Sequence, residues 1–360
     1  MAVEKMKELK EIWENDIYRE TLTMIPEEDG RLPELLYLPA GEVTVESYDG
    51  KIIYEPGKDY VFDGRFIRLP EGSGIPTGTR NDLYYATRRQ AQQELTDMPY
   101  ELGFGPVSTA DGKYITLKGI DHPEYLTKWQ ICVSYQTKEE WWGKKPESKQ
   151  RLLPEFAGKC EKGGTVRILI FGDSISCGYD CSGFHHQEPG QPIWPEIVAQ
   201  GLEKRYHCRV EMDNVSKAGE GTAWAAEHAG ELIGKKSYDL VILGFGMNDR
   251  EQGNIFQENI KKLIRQVRSC VGETEFLLIA TTLPNPETTT PPIHFTAYQH
   301  EYAEVLLALE EKGIAVADVQ TVQKELQKRK RYLDITGNWL NHPNDFLARI
   351  QAQVVFRSLT

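Results

Sequence analysis

From residue 165 to the C-terminus the chain repeats one unit, a short and nearly all-apolar run followed by a helical stretch. The apolar runs are Val166–Phe171, Arg209–Val215, Leu240–Phe245, Phe276–Thr281 and Ile314–Val319. A strand that is apolar on both faces has to be covered on both faces, which is the environment of a parallel sheet between two helical layers. The stretches Trp194–Tyr206, Ala223–Ile233, Ile255–Cys270 and Thr296–Lys312 are long enough to serve as the crossover helices. The pattern predicts an α/β domain, a flavodoxin-like three-layer sandwich around a five-stranded parallel sheet. Ligands of such a sheet bind outside the carboxyl ends of its strands.

The first part of the chain has a different rhythm. Glu42–Tyr48 alternates polar and apolar residues, Asp49-Gly50 turns, and Lys51–Tyr54 continues. Tyr60–Phe62, Asp63-Gly64 and Arg65–Leu69 repeat the arrangement, and an Asp-Gly pair between such runs is a strong hairpin signal. Tyr114–Leu117 and Trp129–Tyr135 read as further strands, while 87–98, rich in Gln and Arg, reads as a helix or a long loop. This half is expected to be an antiparallel β-sandwich of jelly-roll type. The segment 143–164, rich in Lys, Glu, Gly and Pro, reads as the connection, which places one domain at 1–155 and a second at 156–360.

Composition narrows the function classes. A formal net charge of -12 with no basic run argues against nucleic acid and against anionic membranes, and suits a neutral substrate. No apolar run is long enough to span a bilayer, and the N-terminus lacks the apolar core of a signal peptide. The six cysteines are sparse and read as reduced thiols, so the expected compartment is the cytoplasm. Nothing in the sequence opposes a homo-oligomer.

Four short blocks fall at strand ends or helix starts. Phe171-Gly172-Asp173-Ser174 follows the first apolar run, Asn214–Gly219 follows the second, and Gly246-Met247-Asn248-Asp249 follows the third. Asn341-His342-Pro343-Asn344-Asp345 opens the final helix. In type, order and spacing over about 165–360, these blocks resemble those of the SGNH, or GDSL-type, serine hydrolases. The resemblance implies Ser174 as nucleophile and His342 as general base, because a serine hydroxyl needs a neighbouring base to remove its proton. It also implies an oxyanion hole formed by the Ser174 N–H, the Gly219 N–H and the Asn248 side-chain amide. Asp249 is expected to support the loop that carries Asn248.

One position departs from the family. Where the usual Asp stands three residues before the His, this chain has Trp339. The imidazole is then oriented by Asp334, by Asp345, or by a main-chain carbonyl such as that of Trp339. The last, a Ser–His dyad, is the favoured expectation. A β-domain before an SGNH domain resembles carbohydrate esterases that remove acetyl groups from xylan or mannan oligosaccharides. Trp339, beside the base, is the candidate platform for a sugar ring. Cys177, Cys181, His185 and His186 lack the spacing of a zinc site, so neither metal nor cofactor is expected. The alternatives are a lipid or thioester acylhydrolase on the same machinery, and a carbohydrate-binding protein without activity.

Overall fold

The computed structural model describes residues 9–93, 106–116, 124–288 and 298–360. Leu117, residues 94–98 and the first two residues of the expected stretch Thr296–Lys312 lie outside these. Among the described residues, seven strands precede the α/β region: β1 (Asp16–Thr23), β2 (Pro39–Ser47), β3 (Val61–Asp63), β4 (Phe66–Arg68), β5 (Val107–Ser108), β6 (Tyr114–Ile115) and β7 (Gln130–Thr137). All pair antiparallel, as expected. β7 lies between β1 and β2 in a three-stranded sheet, and β3–β4 and β5–β6 form two short ladders.

The parallel sheet is built from β8 (Gly164–Gly172), β9 (Cys208–Asn214), β10 (Leu240–Gly244), β11 (Glu275–Ala280) and β12 (Ile314–Asp318). Its order, β9-β8-β10-β11-β12, places the first strand inside and reverses direction between β8 and β10. That is the flavodoxin-like order, and the switch between β8 and β10 opens the crevice where ligands bind. β10 and β11 are buried at every residue, which accounts for their unbroken apolar runs.

The helices follow their sequence patterns. Gly253–Val271 buries Phe256, Ile260, Leu263, Ile264, Val267 and Val271, a stripe at helical spacing, and stops at Gly272, whose φ of 80° few other residues adopt. The last helix, Asp345–Leu359, starts where the Asn344 side chain accepts from the N–H groups of Phe346 and Leu347 at 3.1 and 3.2 Å. It is buried nearly all round, because it packs on helix Trp194–Tyr206 and β12 and also touches β1.

The two halves share one core. A single apolar cluster contains Leu22, Ile131 and Val133 of the antiparallel sheet together with Leu340, Leu347 and Ile350 of the C-terminal segment. Helix Pro154–Glu161 straddles residue 155, where the sequence reading ends the first domain. Polar contacts lock the same seam. The Lys330 ammonium, fully buried, pairs with Glu20 at 2.8 Å and donates to the carbonyls of Thr21 and Glu34. Arg331 donates to the carbonyls of Thr23 and Ile25. Asp334 accepts from the Thr23 N–H at 2.8 Å and from Arg331 at 2.8 Å.

Glu20 also receives the Leu36 N–H and the Tyr135 hydroxyl, so Lys330 is one of three donors on a fully buried carboxylate. Removing one member of a buried pair leaves the other charge uncompensated. Lys330→Met is therefore expected to lower unfolding stability by about 3–5 kcal/mol, read from the midpoint of urea unfolding.

Candidate active site

β8 ends at Gly172, and Asp173 then caps a single helical turn, Ser174–Cys177, by accepting from the Ile175 N–H at 3.0 Å. A Cβ at Gly172 would stand 2.3 Å from the Ser176 Oγ and 2.5 Å from the Gly244 carbonyl oxygen. The glycine is needed for the close approach of β8 and β10 at the switch point. Ser174 is presented at this point, 3% exposed.

His342 arrives from the other end of the chain. The Asn338 side-chain oxygen accepts from three successive N–H groups, those of Leu340, Asn341 and His342, at 2.9–3.2 Å. The His342 carbonyl in turn accepts from the Gly337 N–H and the Thr336 hydroxyl, both at 3.0 Å. The loop is closed by its own polar groups and needs no regular secondary structure. Its imidazole Nε2 lies 2.8 Å from the Ser174 Oγ, and its Nδ1 lies 2.5 Å from the Asp180 Oδ2. The carboxylate assigns the proton to Nδ1 and leaves the Nε2 lone pair for the serine hydroxyl.

The dyad expectation is corrected here, because the ring meets a carboxylate. None of the three candidate orienters holds it. Asp334 is engaged with Thr23 and Arg331, and Asp345 accepts from the N–H and the hydroxyl of Ser182 at 2.9 and 2.7 Å. The Trp339 carbonyl accepts from the Asn285 side chain at 2.9 Å. Asp180 stands six positions after Ser174 rather than just before the histidine. It sits in a left-handed turn, φ 63°, after Gly178 at φ 91°. A Cβ at Gly337 would stand 2.5 Å from the Asp180 Cβ, so that glycine lets the two loops touch. The run Tyr179-Asp180-Cys181 carries no periodic or spacing signal, and only a three-dimensional neighbour identifies it.

The remaining blocks meet beside the serine turn. Asn248 donates its side-chain amide to the Glu220 carbonyl at 3.1 Å, tying the loop after β10 to the one after β9. Gly219 lies in that second loop with φ 80°. Among the described residues, the N–H groups of Ser174 and Gly219 donate to no protein acceptor. Asp249 accepts from the Thr222 N–H at 2.9 Å and from its hydroxyl, holding the start of helix Thr222–Leu232 against the Asn248 loop. Gln299 braces the same loop by donating to the carbonyls of Gly246, Met247 and Asp249. Sequence reading did not identify Gln299, an ordinary polar residue inside a helical stretch.

Trp339 lies in the His342 loop, yet it offers no open stacking face. The residue is 6% exposed, and its ring packs nearly perpendicular to Tyr84 at 6.0 Å and tilted against Tyr332 at 6.0 Å. Tyr84 comes from the N-terminal half and is anchored by its hydroxyl on Glu287 at 2.9 Å. Periodicity alone could not place a residue from one half over a loop of the other.

Three buried carboxylates surround the turn, and their environments separate them. Burial pushes the Asp180 carboxyl up, but the His342 charge, the contacts of both His185 and His342, and the His185 charge outweigh it and hold it below the ordinary aspartate range. Asp173 is pushed up to about 7 by burial, with the Ile175 N–H and the His342 charge pulling against it. Asp249 is pushed up to about 6, again by burial, despite its bonds from Thr222. A carboxyl whose folded-state pKa lies above its unfolded value of about 3.9 binds its proton more tightly when folded. Its contribution to stability is complete at low pH and is lost as the pH rises through about 6. Asp249→Asn keeps the acceptor for Thr222 and removes the titration. Urea unfolding at about pH 5 and about pH 8 is expected to show a smaller loss on alkalinisation in this variant than in the wild type.

No helix among the described residues is long and apolar enough to cross a membrane. No curated protein matches the chain. Among solved structures it is similar to a two-domain esterase (CEX) active on acetylated mannans, at 19% identity and a TM-score of 0.45, covering 58% of this chain and 53% of that one. The chain thus spans about half the length of that esterase. It is also similar to a catalytic mutant of Axe2, an acetylxylan esterase from Geobacillus stearothermophilus, at 17% identity and a TM-score of 0.43, covering 55% of this chain and 95% of that one. A third similar structure is the lipase Lip_vut3 from a goat rumen metagenome, at 17% identity and a TM-score of 0.40, covering 53% and 95%. The profile of the GDSL-like lipase/acylhydrolase family matches residues 170–350, half of the chain and all four motif blocks, and the chain belongs to that family.

Proposed function

We propose that the protein is a serine carboxylic ester hydrolase acting on small acyl groups, with O-acetyl groups of oligosaccharides such as xylan or mannan fragments as its substrates. The observation that carries the reading is the chain of contacts from Ser174 through His342 to Asp180, at 2.8 and 2.5 Å. In this reading the Ser174 hydroxyl passes its proton to His342 Nε2 as the oxygen attacks the ester carbonyl. The charge on the carbonyl oxygen is received by the N–H groups of Ser174 and Gly219 and by the Asn248 amide. Asp180 stabilises the imidazolium that forms. His342 then returns the proton to the departing alcohol oxygen, which leaves an acyl-Ser174. Water attacks that ester, gives its proton to His342, and releases the acid with the serine restored.

The buried setting of the nucleophile supports a small acyl group. Ser174 and His342 are each 3% exposed. The net charge of -12 favours a neutral ester over an anionic one.

Hydrolysis of p-nitrophenyl acetate is expected to exceed that of a long-chain p-nitrophenyl ester, and Ser174→Ala to abolish both. Preference for the long chain would favour the lipid acylhydrolase, and unchanged rates in Ser174→Ala would favour a binding protein. Asp180→Asn leaves the loop shape but removes the charge that balances the imidazolium, and kcat should fall on the order of 10⁴-fold. An effect below about tenfold would restore the dyad.

A further inference from the structure

Asp180 faces two imidazoles. Its Oδ2 is taken by His342, while its Oδ1 has no hydrogen-bond partner among the described residues and lies 3.6 Å from the His185 Nε2. That nitrogen has no hydrogen-bond partner either. The two unsatisfied atoms therefore face each other, beyond a direct hydrogen bond and within ion-pair reach. The Asp180 side chain is 1% exposed, so no bulk water substitutes for a protein donor on its second oxygen.

The local structure holds His185 in this position. Its N–H donates to the Cys181 carbonyl at 3.3 Å, within the same loop that carries Asp180. The Phe184 ring meets the His185 ring edge-on at 5.2 Å, Phe184 lies against Tyr179 at 4.3 Å, and Tyr179 lies against His342 at 5.7 Å. A file of rings thus runs beside the polar line from His342 through Asp180 to His185.

We propose that His185 is a positioning residue for the hydrolysis, holding the Asp180 carboxylate by its second oxygen so that the first stays aimed at His342. The assignment rests on the catalytic reading above. Asp180 sits in a left-handed turn, with φ 63°, and among the described residues its carboxylate has one hydrogen bond, that with His342. The His185 Nε2, 3.6 Å from Oδ1, stands on the side from which a donor would fix the plane of the carboxylate and leave Oδ2 for the imidazolium. His185 touches neither the serine nor the reacting atoms in this role and acts only through Asp180.

The test compares His185→Leu, which removes the donor, with His185→Gln, whose side-chain amide can place an N–H near the same point. Three quantities are read in each: the rate of Ser174 phosphonylation by an organophosphate, kcat and KM on p-nitrophenyl acetate, and the far-downfield proton resonance of the hydrogen bond between His342 and Asp180. His185→Leu is expected to label about tenfold more slowly, to lose kcat with KM nearly unchanged, and to shift the resonance. His185→Gln is expected to stay within about twofold to threefold of the wild type in rate. Equal rates and an unshifted resonance in both variants overturn the proposal. So does an equal loss in both variants that tracks a lower melting temperature, since that describes a packing role. A wild type that is never labelled at Ser174 overturns the esterase reading instead, and the resonance then decides alone whether His185 acts on Asp180.

Discussion

The contact between Asp180 and His342 is the one on which the site depends, because both groups are buried and each would be costly alone. A buried carboxylate stays ionised, and a buried imidazole keeps one orientation, at lower cost when each has the other as partner. Asp180 lies 1% exposed and His342 4% exposed in their side chains, at 2.5 Å. The two neighbouring histidines hold the Asp180 carboxyl below the ordinary aspartate range against the effect of burial. The imidazole is in turn fixed in the tautomer that leaves Nε2 for Ser174. Without the carboxylate the ring would lose its partner on Nδ1.

The antiparallel sheet is bonded to the segment that carries the histidine loop. The segment Lys330–Thr336 leads into the His342 loop and is stitched to β1 by Lys330, Arg331 and Asp334. Gln130 of β7 donates to the Thr336 carbonyl at 3.2 Å. Arg349, on the helix that follows the histidine, donates to the carbonyls of Tyr18 and Arg19. The N-terminal half is thus part of the frame that sets the histidine loop, with a shared apolar core and a buried ion pair at the seam.

The electrostatics of the site divide the carboxylates by neighbour. Asp180 has two histidines within reach and stays charged. Asp173 and Asp249, close to the same serine turn, have each one oxygen bonded to N–H or hydroxyl donors and the other without a hydrogen-bond partner among the described residues. Burial dominates there, and both hold their protons to higher pH. Residues of one type under one rim therefore differ in charge state for local reasons.

Much of this was legible in the sequence. The five apolar runs and their intervening helices identify the parallel sheet, because burial on both faces leaves a periodic mark that needs no knowledge of the neighbours. The blocks around Ser174, Gly219, Asn248 and His342 could be read because each is short, local and tied to a strand end or a helix start. The acid that meets His342 could not. Asp180 reaches the ring only through a left-handed turn and a glycine, Gly337, on a loop more than 150 residues away. Asp334 and Asp345, nearer in sequence, are drawn off by β1 and by Ser182. Trp339 is covered by Tyr84 from the other half. Periodicity encodes which face of an element is buried. Which buried polar group finds which partner depends on contacts between distant segments, and those are decided only when the chain has packed.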